Sequence, residues 1–362
     1  MHIILIGYLH NLGGIQTHSH WLAKGLTERG HSVEILTPAP LHGDAPGLPE
    51  NPPYDVAEYR TLRDIAALGR KARPRPDAVI VAGTGWKAMM LALAIKGARR
   101  RVFFEVMSGE RGGFFDPRLL SRFGFDAIVG QGSGVERKFI REFGWHGPST
   151  VIPALPEPLE VVCSIPDAPA LPQSPDGKLR LGFFSRLVGY KGAGFLIENW
   201  DRLAQYADTL DIWGTGSAQD EFARAITAAG LEQSVTLKGR YPGGQEYVEL
   251  LQQYDLTLLP TWGKEGAPLV LLESMACGIP FVANGVGGIP DYANPYCRIT
   301  SGDISEFLPL YEELASSISR SEIDTKKLQD HYSANFSYDR LVDQWERFLL
   351  SELPDTIQGH KS

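Results

Sequence analysis

Residues 256–284 read LTLLPTWGKEGAPLVLLESMACGIPFVAN, a run with the pattern of strand, loop, helix and second strand. Apolar and β-branched residues end at Pro260, a glycine-containing loop follows, a helical pattern opens at Pro268 and stops at Gly278, and a second apolar run starts at Pro280. Proline suits the first helical position because its missing amide would have no partner there, and glycine suits the far end. Two short strands joined by a helix form a parallel pair. This stretch therefore predicts a parallel α/β sheet, whose ligands bind beyond the carboxyl ends of the strands.

Outward from that unit the same alternation continues. Strands are expected at 179–185, 210–214 and 234–239, with helices at 195–206, 218–230 and 245–254 between them. An earlier set of strands is expected at 2–7, 32–38, 77–83, 101–107, 126–131 and 149–153. The first helix, 14–30, puts Ile15, His18, Leu22 and Leu26 on one stripe and ends at Gly30. Between the two sets, from Ala154 to Gly177, repeated prolines prevent a regular helix or a central strand. Beyond Gly302 the pattern is helical, and Leu341, Trp345, Phe348 and Leu349 make an apolar stripe. At 362 residues the chain exceeds one ordinary core. The expected division is a Rossmann-like domain at 1–155, a Pro-rich linker at 156–177, a second Rossmann-like domain at 178–325, and helices at 326–352 that pack back on the first domain.

Composition narrows the class. With 43% hydrophobic and 22% charged residues the chain has the make-up of packed globular cores rather than of disorder or a coiled coil. Apolar runs such as Leu269–Leu272 are far shorter than a membrane span, and the opening MHIILIG reads as a buried strand instead of a signal peptide, so a cytoplasmic protein is expected. Three scattered cysteines, Cys163, Cys277 and Cys297, fit neither a disulfide framework nor a structural zinc site. Residues 1–177 carry 19 basic against 18 acidic side chains, the remainder 16 against 25, so the net charge of −8 divides as +1 and −9. Basic clusters at Arg70, Lys71, Arg73 and Arg75 and at Arg99, Arg100 and Arg101 read as solvated helix ends, with peripheral contact to an anionic membrane as the alternative. No long basic tract points to nucleic acid.

Three segments carry chemistry. In EGAPLVLLE the amides of Gly266, Ala267, Leu269 and Val270 would surround a helix N-terminus at Pro268, which favours an anion such as a diphosphate. Glu265 and Glu273 flank that position; carboxylates repel phosphate, so they fit hydroxyls, a sugar for Glu265 and a ribose for Glu273. In FFSRLVGYKG, Arg186 and Lys191 leave the carboxyl end of a strand and can neutralise a diphosphate, more strongly as it departs. In NLGGIQTH, Gly13 and Gly14 let backbone approach a ligand closely.

Taken together, GGIQTHSHWLAKGLTERGHSVEILT, SRLVGYKG and EGAPLVLLESMACGIP resemble glycosyltransferase family 4, retaining enzymes of the GT-B fold. The resemblance covers nearly the whole chain in order and implies two facing Rossmann-like domains with the active site in the cleft. The first would bind the acceptor, the second the nucleotide sugar, whose base would be selected by contacts around Gly239, Arg240 and Tyr241. It matches Glu265 and Glu273 to the glutamates of an E-x7-E motif, Arg186 and Lys191 to the diphosphate-binding pair, and Gly14 to the glycine loop. The implied reaction moves a hexosyl group from a nucleoside-diphosphate sugar, UDP-sugar before GDP-mannose, to a hydroxyl of a glycolipid, polysaccharide or secondary metabolite. No cofactor and no metal are expected, because fixed cations take a metal's part. Two departures stand out: Met107 and Ser108 replace a histidine that contacts the sugar in many members, and Ala267 replaces the motif's usual aromatic.

Competing readings remain. GTGWKA from Gly83 fits a dinucleotide fingerprint, with Glu105 as its ribose acid, which makes a dehydrogenase a formal rival. A nucleotide-sugar epimerase and an inactive nucleotide-sugar-binding partner share the implied fold. His18 and His20 form an H-x-H pair, but helical residues two apart face different ways, and His31 reads as structural. No G-x-S-x-G or H-E-x-x-H occurs, so hydrolase chemistry lacks support.

Overall fold

The computed structural model describes residues 1–10, 13–40, 51–71, 75–174 and 176–352. Two compact units emerge, Met1–Glu157 with Tyr338–Ser362, and Pro158–Ser337.

In the first unit, seven parallel strands lie in the order β3-β2-β1-β4-β5-β6-β7. They are β1 (His2–Ile6), β2 (Ser32–Pro38), β3 (Asp55–Tyr59), β4 (Ala78–Val81), β5 (Arg100–Glu105), β6 (Ala127–Gly130) and β7 (Ser149–Val151). Helices α1 (Gly14–Glu28), α2 (Leu62–Lys71), α3 (Trp86–Ala94) and α4 (Ser133–Phe143) make the crossovers. Strands β4 and β6 are wholly buried, as central parallel strands must be when both faces are covered. Strand β3 was not anticipated: its DVAEY alternates weakly and sits at the sheet edge, where few apolar side chains are needed.

The second unit has six parallel strands in the order β10-β9-β8-β11-β12-β13. They are β8 (Leu179–Phe184), β9 (Ala207–Trp213), β10 (Val235–Gly239), β11 (Leu256–Leu259), β12 (Phe281–Ala283) and β13 (Arg298–Ile299). Its helices are α5 (Leu159–Val162), α6 (Ala193–Glu198), α7 (Trp200–Leu203), α8 (Gln219–Ala228), α9 (Gly244–Leu251), α10 (Leu269–Ala276), α11 (Phe307–Ser319) and α12 (Thr325–Asn335). The single helix expected at 195–206 is two, broken at Asn199, whose side chain bonds back to Phe195 O at 2.8 Å. Two-residue β13 is too short to leave a pattern. The strand order reverses between β8 and β11, the switch point where such sheets hold ligands.

Three expected boundaries shift. The proline-rich 156–177 segment belongs to the second unit from Pro158 and holds α5, with Leu159 and Leu171 in that unit's core. Helix α12 also stays with the second unit, where Gln329 donates to Ala276 O at 3.2 Å and Tyr332 to Glu160 Oε2 at 3.0 Å. Only α13 (Tyr338–Leu350) joins the first unit. There it lies so close to α1 that a Cβ on Gly25 would come within 2.5 Å of Val342. Arg29 and His31 clasp Glu346 at 2.9 and 2.8 Å, which makes His31 structural. Among the described residues no helix is long and apolar enough to cross a membrane.

Candidate functional site

The two loops that leave the switch-point strands meet. Lys191, after β8, is buried and donates Nζ to Glu265 Oε2, after β11. Their side chains are 10% and 8% exposed, so solvent screens the pair little. Solvation of Lys191 on the surface, the bland alternative, is not what the fold does with it. Backbone and hydroxyl bonds hold the loops in register: Tyr190 O accepts from Trp262 N at 3.0 Å and Thr261 Oγ1 at 3.1 Å, and Asn284 Nδ2 reaches Thr261 O at 2.9 Å. Gly192 has φ 93°, and a Cβ there would stand 2.5 Å from Pro260 O.

A third loop, after β12, braces the Glu265 segment. Gly288 N donates to Gly266 O at 2.6 Å, and Gly287, at φ 62°, leaves no room for a Cβ, which would fall 2.3 Å from Glu265 O. Helix α10 begins at Leu269, with Pro268 as its N-cap in extended conformation, one residue later than the sequence implies. The amides of Leu269 and Val270 are the first of the helix and have no intrahelical acceptor. Leu271 N already bonds Pro268 O at 3.3 Å. Buried Ala267 packs in the core of this unit rather than leaving open space.

Glu273, on α10, is half-buried, and its Oε2 accepts from the Tyr247 hydroxyl at 2.9 Å. Burial first, then the charges of Asp291, Glu265 and Glu273, push the hydroxyl pKa of wholly buried Tyr292 upward, so both motif glutamates bear on one spot in this unit. Burial and Glu273 likewise push the Cys277 thiol to about 12, which leaves it inert. Gly239, at φ 75°, ends β10; Arg240 is exposed; and Tyr241 stacks on Tyr247 with ring centroids 5.2 Å apart. Arg186 is exposed, with Nη2 3.2 Å from the Tyr190 hydroxyl. Tyr247 was missed in the sequence because on α9 it falls in line with Val248 and Leu251 and looks like core.

In the first unit Gly13 caps α1 at φ 153° with open space where a side chain would point, and Gly14 is the first helical residue. Neighbouring Asn11 and Leu12 lie outside the described residues. Glu105 cannot serve as a ribose acid: it is wholly buried and both its oxygens accept from Arg118 Nη1 at 3.1 Å, which removes the dehydrogenase reading. Asp116 closes the cluster, accepting from Arg118 Nε at 3.0 Å and Nη2 at 2.7 Å. The clamp also ties the segment after β5: the Met107 amide donates to Glu105 Oε1 at 2.9 Å, and Ser108 beside it is buried. His18 and His20 diverge, the first accepting from Leu155 N at 3.1 Å, the second 2.6 Å from the Tyr54 hydroxyl. Among the described residues no three His, Cys, Asp or Glu side chains are grouped to hold a metal ion.

Of the basic clusters, Arg100 bonds the Leu349 carbonyl at 3.1 Å and Arg101 the Ile95 carbonyl at 2.7 Å, both closing helix ends. Of the other cluster, Arg70 and Arg75 are exposed, and Arg73 lies outside the described residues.

Two family models match in chain order: a glycosyl transferase 4-like domain over residues 13–153 and glycosyl transferases group 1 over residues 178–315. An exopolysaccharide phosphotransferase of Streptomyces coelicolor is 34% identical over 152 residues, 40% of this chain and 15% of that protein. A GDP-mannose-dependent monoacylated alpha-(1-6)-phosphatidylinositol monomannoside mannosyltransferase of Corynebacterium glutamicum is 26% identical over 176 residues, 46% of each chain. The matches thus span less than half the length of these curated relatives. Among solved structures, Anabaena HepE in complex with UDP superposes with a TM-score of 0.76 at 21% identity, covering 96% of this chain and 99% of the other. At that identity the likeness is one of fold, an α/β GT-B fold.

Proposed function

Given that the chain belongs to the GT-B glycosyltransferases, we propose that it transfers a hexosyl group from a nucleoside-diphosphate sugar to an acceptor hydroxyl with retention at the anomeric carbon. The observation that carries this reading is the buried Lys191–Glu265 pair at the point where the second sheet reverses. A cation and a carboxylate held together there offer one group for phosphate and one for sugar hydroxyls. Lys191, Arg186 and the first amides of α10 neutralise the diphosphate and stabilise it further as it departs. Glu265 orients the sugar, and Glu273 accepts from the ribose. The bond from C1 to the phosphate oxygen breaks, the bond from C1 to the acceptor oxygen forms on the same face, and the acceptor's proton passes to the departing phosphate. No protein nucleophile is needed; the work is positioning and electrostatics.

Uridine is the first choice of base and guanosine the second, in line with the UDP bound by HepE and the GDP-mannose dependence named for the C. glutamicum relative. The acceptor is a glycolipid, polysaccharide or secondary metabolite, and peripheral contact with an anionic membrane fits the first of these. Arg100 and Arg101 are engaged by carbonyls, so such contact would fall to other residues. Lys191→Ala and Glu265→Ala should each lower transfer by about 100-fold or more, as loss of a transition-state contact does. Calorimetry against UDP, GDP, ADP and dTDP sugars settles the base. Binding of none would indicate an inactive partner protein, and an isomerised nucleotide sugar formed without acceptor would indicate an epimerase.

A further inference from the structure

Glu273 has a purpose-built neighbour. Tyr247 is 3% exposed, yet it carries a hydroxyl into a stack of aromatic rings, where phenylalanine would fill the same space with no polar atom to satisfy. Its ring lies on Tyr241 with planes 26° apart and meets Phe184 edge-on at 6.0 Å, so the ring has one position. From there the hydroxyl donates to Glu273 Oε2 at 2.9 Å. Burial, and after it the adjacent Glu273 charge, hold the phenol well above its ordinary value, so it stays a donor at neutral pH. A glutamate carboxylate turns broadly about its last torsion. A fixed donor on Oε2 constrains that torsion, and with it the direction in which the carboxylate presents its lone pairs.

We propose that Tyr247 is a positioning residue for donor recognition: it turns the Glu273 carboxylate to accept from the ribose hydroxyls of the nucleoside diphosphate, so that α9 carries part of the discrimination between ribose and deoxyribose. This rests on Glu273 being the ribose acceptor, as proposed above. The two ideas fail differently in one experiment. Wild type, Tyr247→Phe and Glu273→Ala are titrated calorimetrically with UDP, 2′-deoxy-UDP and 3′-deoxy-UDP, with the guanosine set run alongside so that a chain selecting GDP is read on its own nucleotide.

Wild type should bind the ribonucleotide about 10-fold more tightly than the weaker deoxy analogue, the worth of one hydrogen bond to a charged group. Glu273→Ala should bring that ratio to about one. Tyr247→Phe should weaken the ribonucleotide about 5-fold and leave the deoxy analogue unchanged, lowering the ratio to about 2. With the sugar donor, KM should rise and kcat stay within about twofold, since a ribose contact is equal in ground and transition states. Equal weakening of every nucleotide by Tyr247→Phe would mean mere packing and overturn the proposal. A wild-type ratio kept in Tyr247→Phe but lost in Glu273→Ala would overturn the role of Tyr247 alone. A wild type with no preference would remove the ribose role of Glu273 and this inference with it.

Discussion

The Lys191–Glu265 pair makes a prediction about stability that is separate from activity. Lys191→Met leaves the Glu265 carboxylate without its cation in a site where that side chain is 8% exposed; Glu265→Gln leaves the Lys191 ammonium, 10% exposed, without its anion. Removing one member of a buried pair costs about 3–5 kcal/mol, because the remaining charge has lost its compensation. Each side chain keeps 8–10% of its surface exposed, so the lower figure, about 3 kcal/mol for each single change, applies here. Lys191→Met with Glu265→Gln removes both charges, and the cost should then be no greater than for either single change. The coupling between the sites is therefore at least about 3 kcal/mol, at the upper end for neighbouring residues. For a unit of this size 1 kcal/mol is about 2–4 °C, so each single variant should lower the melting of the second unit by about 6–12 °C. Scanning calorimetry of wild type, both singles and the double gives the cycle directly. Additivity to within about 0.5 kcal/mol would refute the reasoning and leave the pair as two charges that merely lie close.

Further expectations follow from the surrounding packing. Gly287→Ala should strain the backbone against the Glu265 and Gly266 carbonyls, costing about 1–3 kcal/mol and weakening donor binding together, which melting and calorimetric titration of one sample can check. Arg118→Met should strand Glu105 and Asp116 in the first unit, lowering its stability by about 3–5 kcal/mol with the second unit's melting unchanged. Burial pushes the His18 pKa from 6.5 down to about 3, so the unfolded chain binds the extra proton first and stability is lost as pH falls below about 6.5. His18→Asn keeps an acceptor for Leu155 N but cannot titrate; between pH 6 and 4 its stability should fall less steeply than wild type by about 1.4 kcal/mol per pH unit, and identical slopes in denaturant titrations would refute the assignment.

Much of this protein is legible from local pattern. The alternation of short apolar runs with helical stripes is a property of neighbouring residues, so two parallel-sheet units, the strand-end loops with Lys191 and Glu265, and the helix carrying Glu273 can all be placed from the sequence. Edge strand β3 and two-residue β13 escaped because edges and very short strands need little apolar burial. That helix α12 belongs to the second unit is not legible in its pattern, which shows only that one face is buried, not what buries it.

Partnership is what tertiary structure decided. Lys191 and Glu265 stand 74 residues apart, Tyr247 and Glu273 stand 26 apart, and nothing in the spacing pairs them. Arg100 and Arg101 look like a cationic patch in one dimension, but in three each finds carbonyls at a helix end. Glu105 keeps the right distance from a glycine fingerprint and is nonetheless spent on Arg118. Periodicity depends on the few residues around a position, whereas the partner of a buried charge or hydroxyl depends on which distant segment the sheet order brings beside it.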